Sequence, residues 1–198
     1  MDASIYIRPD KPLRKPVQRR NWIDVKRPSF DTPKPVVVDS ATECHVTPPN
    51  VASRMVDYLE PGSSSILEPH GGTGTLIQAL LDHGVCIEQI TAVERHVALS
   101  QHIEGRFDHR LKVVNYCFLE FGLNTKDRFK HIILNPPFKT WKKHVLMAKS
   151  LLCDSSGSSL VALVPASFDL EGFEVMETLP IDTFQWAKVR TKIVLFQR

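Results

Sequence analysis

From Pro48 onward the apolar positions follow two rhythms in turn. Val51, Met55, Val56 and Leu59 recur at three- and four-residue spacing, the stripe of an amphipathic helix, and Pro61-Gly62 stops it. Residues 65–68 then read as a short strand, 71–74 as a tight glycine turn, and 76–81 as a helix ending near Gly84. A strand at 90–93, a helix from about 96 to 103 and a strand at 112–114 follow. The apolar run 131–134 is a further strand leading straight into Asn135-Pro136-Pro137, and a helix over about 142–152 precedes the apolar strand 160–164. Short strands alternating with helices predict an α/β fold: a mostly parallel sheet with helices on both faces. The alternation breaks near the C-terminus. Val189 and residues 192–196 look like strand, with no long helix after 183–186, which predicts a C-terminal antiparallel β-hairpin at one sheet edge. No internal repeat is visible.

The first forty residues follow neither rhythm. Residues 1–35 hold six of the fourteen prolines and nine Lys and Arg against four Asp, a net charge of +5, while the remaining sixteen basic and eighteen acidic residues sum to −2. With few apolar side chains beyond Trp22, Ile23, Val25 and Phe30, this segment cannot bury enough surface to offset its ordering entropy. The chain therefore divides into a basic, proline-rich, flexible arm (1–40) and one folded domain (41–198). A positive arm on a near-neutral body suits a polyanion, whose condensed counterions are released when lysines and arginines neutralise phosphates; a solvated arm kept for solubility is the competing reading. No run approaches the roughly 20 apolar residues a membrane span requires, and an intracellular, cytoplasmic protein with no membrane partner is expected. Cys44, Cys86, Cys117 and Cys153 lie far apart, with no Cys-x-x-Cys pair, which argues against a zinc site or a disulfide framework. Reduced, mostly buried thiols are expected, and no metal.

In open α/β sheets ligands bind at the carboxyl ends of the strands, and three strand ends here carry candidate chemistry. The first is Glu68-Pro69-His70-Gly71-Gly72-Thr73-Gly74, where glycines permit a tight turn and the next helix offers free N–H groups. A dinucleotide fingerprint would place a third glycine at Ile77, so a nicotinamide cofactor is disfavoured. The second is Glu94, about where an acidic residue accepts both hydroxyls of a ribose. The third, Asn135-Pro136-Pro137-Phe138, is the most informative: two prolines stiffen the loop, hold Asn135 out of helical conformation and leave the turn rich in acceptors. The Asn135 amide oxygen and the Pro136 carbonyl can accept both N–H bonds of a planar amino group, pushing that nitrogen toward sp³ and freeing its lone pair, while Phe138 stacks on the ring that carries it.

Taken together, Thr47-Pro48-Pro49, residues 68–74, Glu94 and Asn135-Pro136-Pro137-Phe138, in this order, resemble the gamma-class N6-adenine DNA methyltransferases, over roughly residues 40–198. The resemblance implies a Rossmann-like class I methyltransferase fold, S-adenosylmethionine as cofactor, and methyl transfer to adenine N6 in DNA after the base is flipped out. It further implies that Thr47 contacts the methionine part of the cofactor, that Glu68, Gly71, Gly72 and Gly74 surround it, that Glu94 holds the ribose, and that Asn135, Pro136, Pro137 and Phe138 handle the base. Where the family carries Asp-Phe-Leu after the third strand, this chain has Cys117-Phe118-Leu119. The carboxylate contact to the cofactor's adenine is then lost, while Phe118 can still pack against that ring, so weaker cofactor binding is expected. His70 occupies a position that is often small, either lining the methionine pocket or lying on the surface.

The family's larger enzymes add a target-recognition domain that these residues do not include, so short, relaxed or borrowed specificity is expected, a protein partner or second copy being one source of it. Lys139, Lys142, Lys143, Arg19 and Arg20 are candidate phosphate contacts, and Trp141 a candidate for stacking on a base or for packing. The compactness suits an enzyme of phage or mobile-element type that shields DNA from restriction. Similar loops serve adenine in RNA and glutamine in protein. Cys117 also admits a weakened methyltransferase fold that binds nucleic acid or a partner.

Overall fold

The computed structural model describes residues 46–184 and 189–198. The basic arm with Arg19 and Arg20, as well as Cys44 and Trp186, lies outside them. Seven strands form one sheet: β1 (Ile66–Glu68), β2 (Ile90–Val93), β3 (Lys112–Val114), β4 (His131–Leu134), β5 (Ser159–Pro165), β6 (Glu174–Leu179) and β7 (Thr191–Gln197), in the order β3-β2-β1-β4-β5-β7-β6. The first five are mutually parallel, and β7 runs antiparallel to both β5 and β6. Five helices cover the sheet: α1 (Pro49–Leu59), α2 (Thr75–Asp82), α3 (Val97–Arg106), α4 (Phe118–Asn124) and α5 (Trp141–Ser150).

The pleat divides the apolar strand residues between two cores. Ile66, Ile90, Ala92, Ile133, Val161, Leu163 and Ile193 face the apolar stripes of α1 and α2 and Ile103 of α3. Leu67, Val93, Ile132, Leu134, Leu160, Ala162 and Val164 face α5 and Phe118 of α4. Because β1, β2 and β4 are covered on both sides, every residue in them is buried, which accounts for their mostly apolar sequences, with Glu68, Thr91 and His131 as the polar exceptions. The mostly parallel sheet with helices on both faces is thus as the patterning predicts.

Two elements differ from the prediction. Residues 118–124, which show no helical period, form α4. The hairpin exists, but its first strand is Glu174–Leu179 and not the Val189 region, and the last strand inserts between β5 and β6, leaving β6 at the edge.

α1 fixes the geometry of the site that follows. Its eleven residues span roughly 16 Å. At its C-terminal end the Leu59 carbonyl accepts a hydrogen bond from Ser159 Oγ (3.1 Å), which also bonds His131 Nδ1 (2.8 Å) at the start of β4. At the other end, residues 46–48 reach the opposite edge of the sheet, where the carboxyl ends of β1 and β4 lie side by side.

Candidate functional site

Strand order reverses between β1 and β4: β2 and β3 continue to one side of β1, and β5 to the other side of β4. A crevice outside the carboxyl ends is expected at such a switch point. All three sequence-predicted clusters end there, Glu68 closing β1, Glu94 following β2 and Asn135 following β4.

Glu68 is fully buried, and its Oε1 accepts the backbone N–H of His70 (3.0 Å). Its Oε2 is shielded from solvent and has no hydrogen-bond partner. Burial pushes the Glu68 carboxyl well above its ordinary 4.5; the neighbouring Glu94 charge adds to this, and the His70 N–H opposes it. A carboxyl raised in the fold destabilises the ligand-free protein as it ionises. The penalty is absent below the ordinary pKa, grows as pH rises above it and is complete once pH passes the folded value. Glu68→Gln is therefore expected to raise the thermal midpoint of the ligand-free protein at pH 8, by roughly 2–4 °C for each kcal/mol relieved, and to leave it unchanged at pH 4. Thermal scans of both proteins at the two pH values measure this, and an equal shift at both would show that ionisation is not its source.

The glycine turn lies against the two carboxylates. A Cβ on Gly71 would sit 2.5 Å from Ile103 Cδ1, 3.5 Å from Glu94 Cβ and 3.6 Å from Glu68 Oε2, so any larger residue would fill the space beside the unpartnered oxygen. Gly74, the residue capping the start of α2, has φ 79°, a conformation other residues rarely adopt. Glu94, 6% exposed, clamps the turn to β2: Oε2 accepts the Gly72 N–H (2.8 Å) and Oε1 the His96 N–H (2.7 Å). Each oxygen keeps a second lone pair for a ligand hydroxyl. Glu94 thus has a structural role that its place after a strand does not reveal.

His70 is half-buried. Its Nε2 lies 2.7 Å from Nδ1 of His144 on α5, its Nδ1 is shielded with no hydrogen-bond partner, and its ring meets Phe118 edge-on at a centroid distance of 5.3 Å. Burial holds the His70 imidazole well below the ordinary 6.5, and His144 adds to this; burial, with Arg95 nearby, brings His144 down to about 4. At neutral pH the pair is uncharged, one ring donating and the other accepting. His144 is the site neighbour the sequence reading missed; its signal is a polar residue on the same buried face as Val145 and Ala148.

Phe118 is only 3% exposed and belongs to the core, so it backs His70 more than it offers an open face to a ring. Cys117 is the N-cap residue of α4 and makes no side-chain cap bond. An Asp there would cap the helix as well as present a carboxylate. The expectation of mostly buried cysteines is corrected: Cys86 is exposed, and Cys117 and Cys153 are partly exposed, because each lies outside the strand and helix faces that form the core.

On the other side of the switch point, Asn135 Nδ2 donates to Thr47 Oγ1 (3.0 Å), and Pro136 is buried. Phe138 is half-buried, edge-on to Phe184 at 6.0 Å. Trp141 packs on Phe168 (4.9 Å), the packing alternative for that residue. Lys139 is exposed in the loop, and Lys142 and Lys143 are exposed in the first turn of α5, which carries no acidic residue. The positive end of a helix dipole disfavours cations, so these lysines do not serve the helix.

No family model and no curated protein matches the sequence. Solved structures do match the fold. It is similar to a proposed RNA methyltransferase from Pyrococcus horikoshii (TM-score 0.62, 19% identity, covering 87% of this chain and 91% of that one). It is also similar to a chain from a type I restriction–modification system (TM-score 0.62, 19% identity, 80% of this chain and 43% of that one). A third is a dimethyladenosine transferase from Plasmodium falciparum (TM-score 0.63, 14% identity, 78% of this chain and 63% of that one). What these proteins share with the chain is the class I methyltransferase fold.

Proposed function

We propose that this chain is an S-adenosylmethionine-dependent methyltransferase acting on the N6 amino group of adenine in nucleic acid, with DNA as the polymer and a gamma-class arrangement of the site. The observation that carries the reading is the Asn135-Pro136-Pro137-Phe138 loop at the carboxyl end of β4, across the switch point from a glycine turn held between Glu68 and Glu94.

The residues present fit the cofactor. Glu68 Oε2 is a buried acceptor beside a glycine, and a cationic or N–H-bearing group seated on the turn would satisfy it. Gly72 and Gly74 allow close backbone approach, Glu94 retains lone pairs for ribose hydroxyls, and His70 walls the same end. When bound, the cofactor supplies an electrophilic methyl on a sulfonium.

The chain's own groups supply positioning. With N6 hydrogen-bonded to Asn135 Oδ1 and the Pro136 carbonyl, its lone pair would be freed from the ring and held toward the methyl group that the bound cofactor would supply, and the surplus N6 proton would pass to solvent. Charge disperses in the transition state, so exclusion of water and alignment do most of the work, without a strong base. Phe138 bears on the base, and Lys139, Lys142 and Lys143 meet phosphates beside the loop, where the dipole of α5 adds to the positive field. The likeness to a chain from an assembled type I restriction–modification system supports nucleic acid or another protein as a partner.

A second reading, adenine in RNA, is favoured by the fold neighbour described as an RNA methyltransferase. Incubation with methyl-labelled cofactor and duplex DNA, single-stranded DNA or structured RNA, followed by digestion and mass analysis, is expected to give N6-methyladenine from DNA. Label in RNA alone would establish the second reading, and none in any nucleic acid would overturn both.

A further inference from the structure

Thr47 and Asn135, 88 residues apart, meet in one hydrogen bond, and the same local device stiffens both sides of it. Each precedes two prolines, in Thr47-Pro48-Pro49 and Asn135-Pro136-Pro137, and a residue before proline is held in extended backbone. Pro48, with φ −59° and ψ 141°, is itself locked at the start of α1, where its carbonyl accepts the N–H groups of Val51 and Ala52 (both 2.9 Å). The far end of α1 is tied to β5 through Leu59 and Ser159. The Thr47 hydroxyl is therefore carried on a rigid strut to the carboxyl edge of the sheet, and Thr47 is 5% exposed there. It takes Nδ2 of Asn135, and so the oxygen of the same planar amide points the other way.

On the basis of the function proposed above, we infer that Thr47 is a positioning residue: by accepting Nδ2 it holds the Asn135 side chain in place with the acceptor Oδ1 turned toward the amino group to be methylated. A reversed amide would set N–H against N–H at the reacting nitrogen and would withdraw one of the two acceptors. This role differs from a contact with the cofactor's methionine part, and the two separate cleanly in kinetics.

Thr47→Val keeps the side-chain shape and removes the hydroxyl. It is expected to lower the single-turnover methylation rate roughly 10- to 100-fold, with the Kd for S-adenosylmethionine unchanged by calorimetry, and Thr47→Ser is expected to restore the rate. In ¹⁵N-labelled protein, the side-chain NH₂ signal of Asn135, identified by its loss in Asn135→Ala, is expected to exchange faster with water in Thr47→Val while the backbone spectrum stays folded. A wild-type protein that methylates but is indifferent to Thr47→Val would overturn the assignment, as would a variant with weakened cofactor binding and an unchanged rate. A wild-type protein that methylates no nucleic acid would instead overturn the function beneath it, whatever the NMR signal shows.

Discussion

Asn135→Ala is expected to reduce methyl transfer at saturating cofactor and nucleic acid by roughly 10²–10³-fold, the range seen when one preorganised hydrogen-bonding group is removed from a reacting centre. Cofactor affinity should hardly change, because Asn135 follows β4 while the groups proposed to face the cofactor lie at the ends of β1 and β2. Stability should fall by only about 1 kcal/mol, the net worth of one hydrogen bond, here the one to Thr47. Single-turnover kinetics with calorimetric titration of the cofactor separates these quantities. Turnover at the wild-type rate would remove Asn135 from the chemistry.

The second large effect is expected at Glu94. Glu94→Ala strips the acceptor from two backbone N–H groups, those of Gly72 and His96. A buried donor left unsatisfied costs about 1–3 kcal/mol, so the ligand-free protein should lose on the order of 10 °C in its midpoint. The glycine turn then keeps only the backbone bond from the Gly71 N–H to the Val93 carbonyl (2.9 Å) as its tie to β2, and on the proposed reading the ribose hydroxyls lose their acceptor; the cofactor's Kd is expected to rise by about two orders of magnitude, some 2.7 kcal/mol. Glu94→Gln, which keeps a carbonyl oxygen for one of the two donors, should fall between. Thermal unfolding and calorimetry read the two losses independently. Unchanged cofactor affinity in a folded Glu94→Ala protein would show that the carboxylate serves the turn alone.

Much of this fold was legible because its central strands are buried on both faces and carry little but apolar residues. Residues 90–93 and 131–134 were placed at their observed bounds for that reason. α4 was not legible: it has seven residues, one fully buried side chain and an internal glycine, too little to show a period. Gly122 belongs there because a Cβ would run into the Met147 side chain of α5, a constraint visible only in three dimensions. β6 escaped for another reason. A register shift between Val175 and Glu177 breaks the two-residue alternation, and its outer edge is unpaired, so it has no clean apolar face.

The candidate site divides along similar lines. Glu68, Glu94 and Asn135 announce themselves, since a polar residue directly after an apolar strand marks a carboxyl end. The contacts that set their orientation do not. Thr47 to Asn135 spans 88 residues and His70 to His144 spans 74, and only the parallel crossovers bring such pairs together.

The place of β7 also bears on the order in which the protein is made. β5 gains its second neighbour, and β6 its only one, from residues 191–197. While the ribosome is still short of those codons, β5 offers an apolar strand with one open edge, the kind of surface that recruits chaperones or other nascent chains. The sheet that carries the glycine turn and the Asn135 loop is therefore completed only once residues 191–197 are in place, and a chain cut short before them would hold every described candidate site residue with its sheet unsealed.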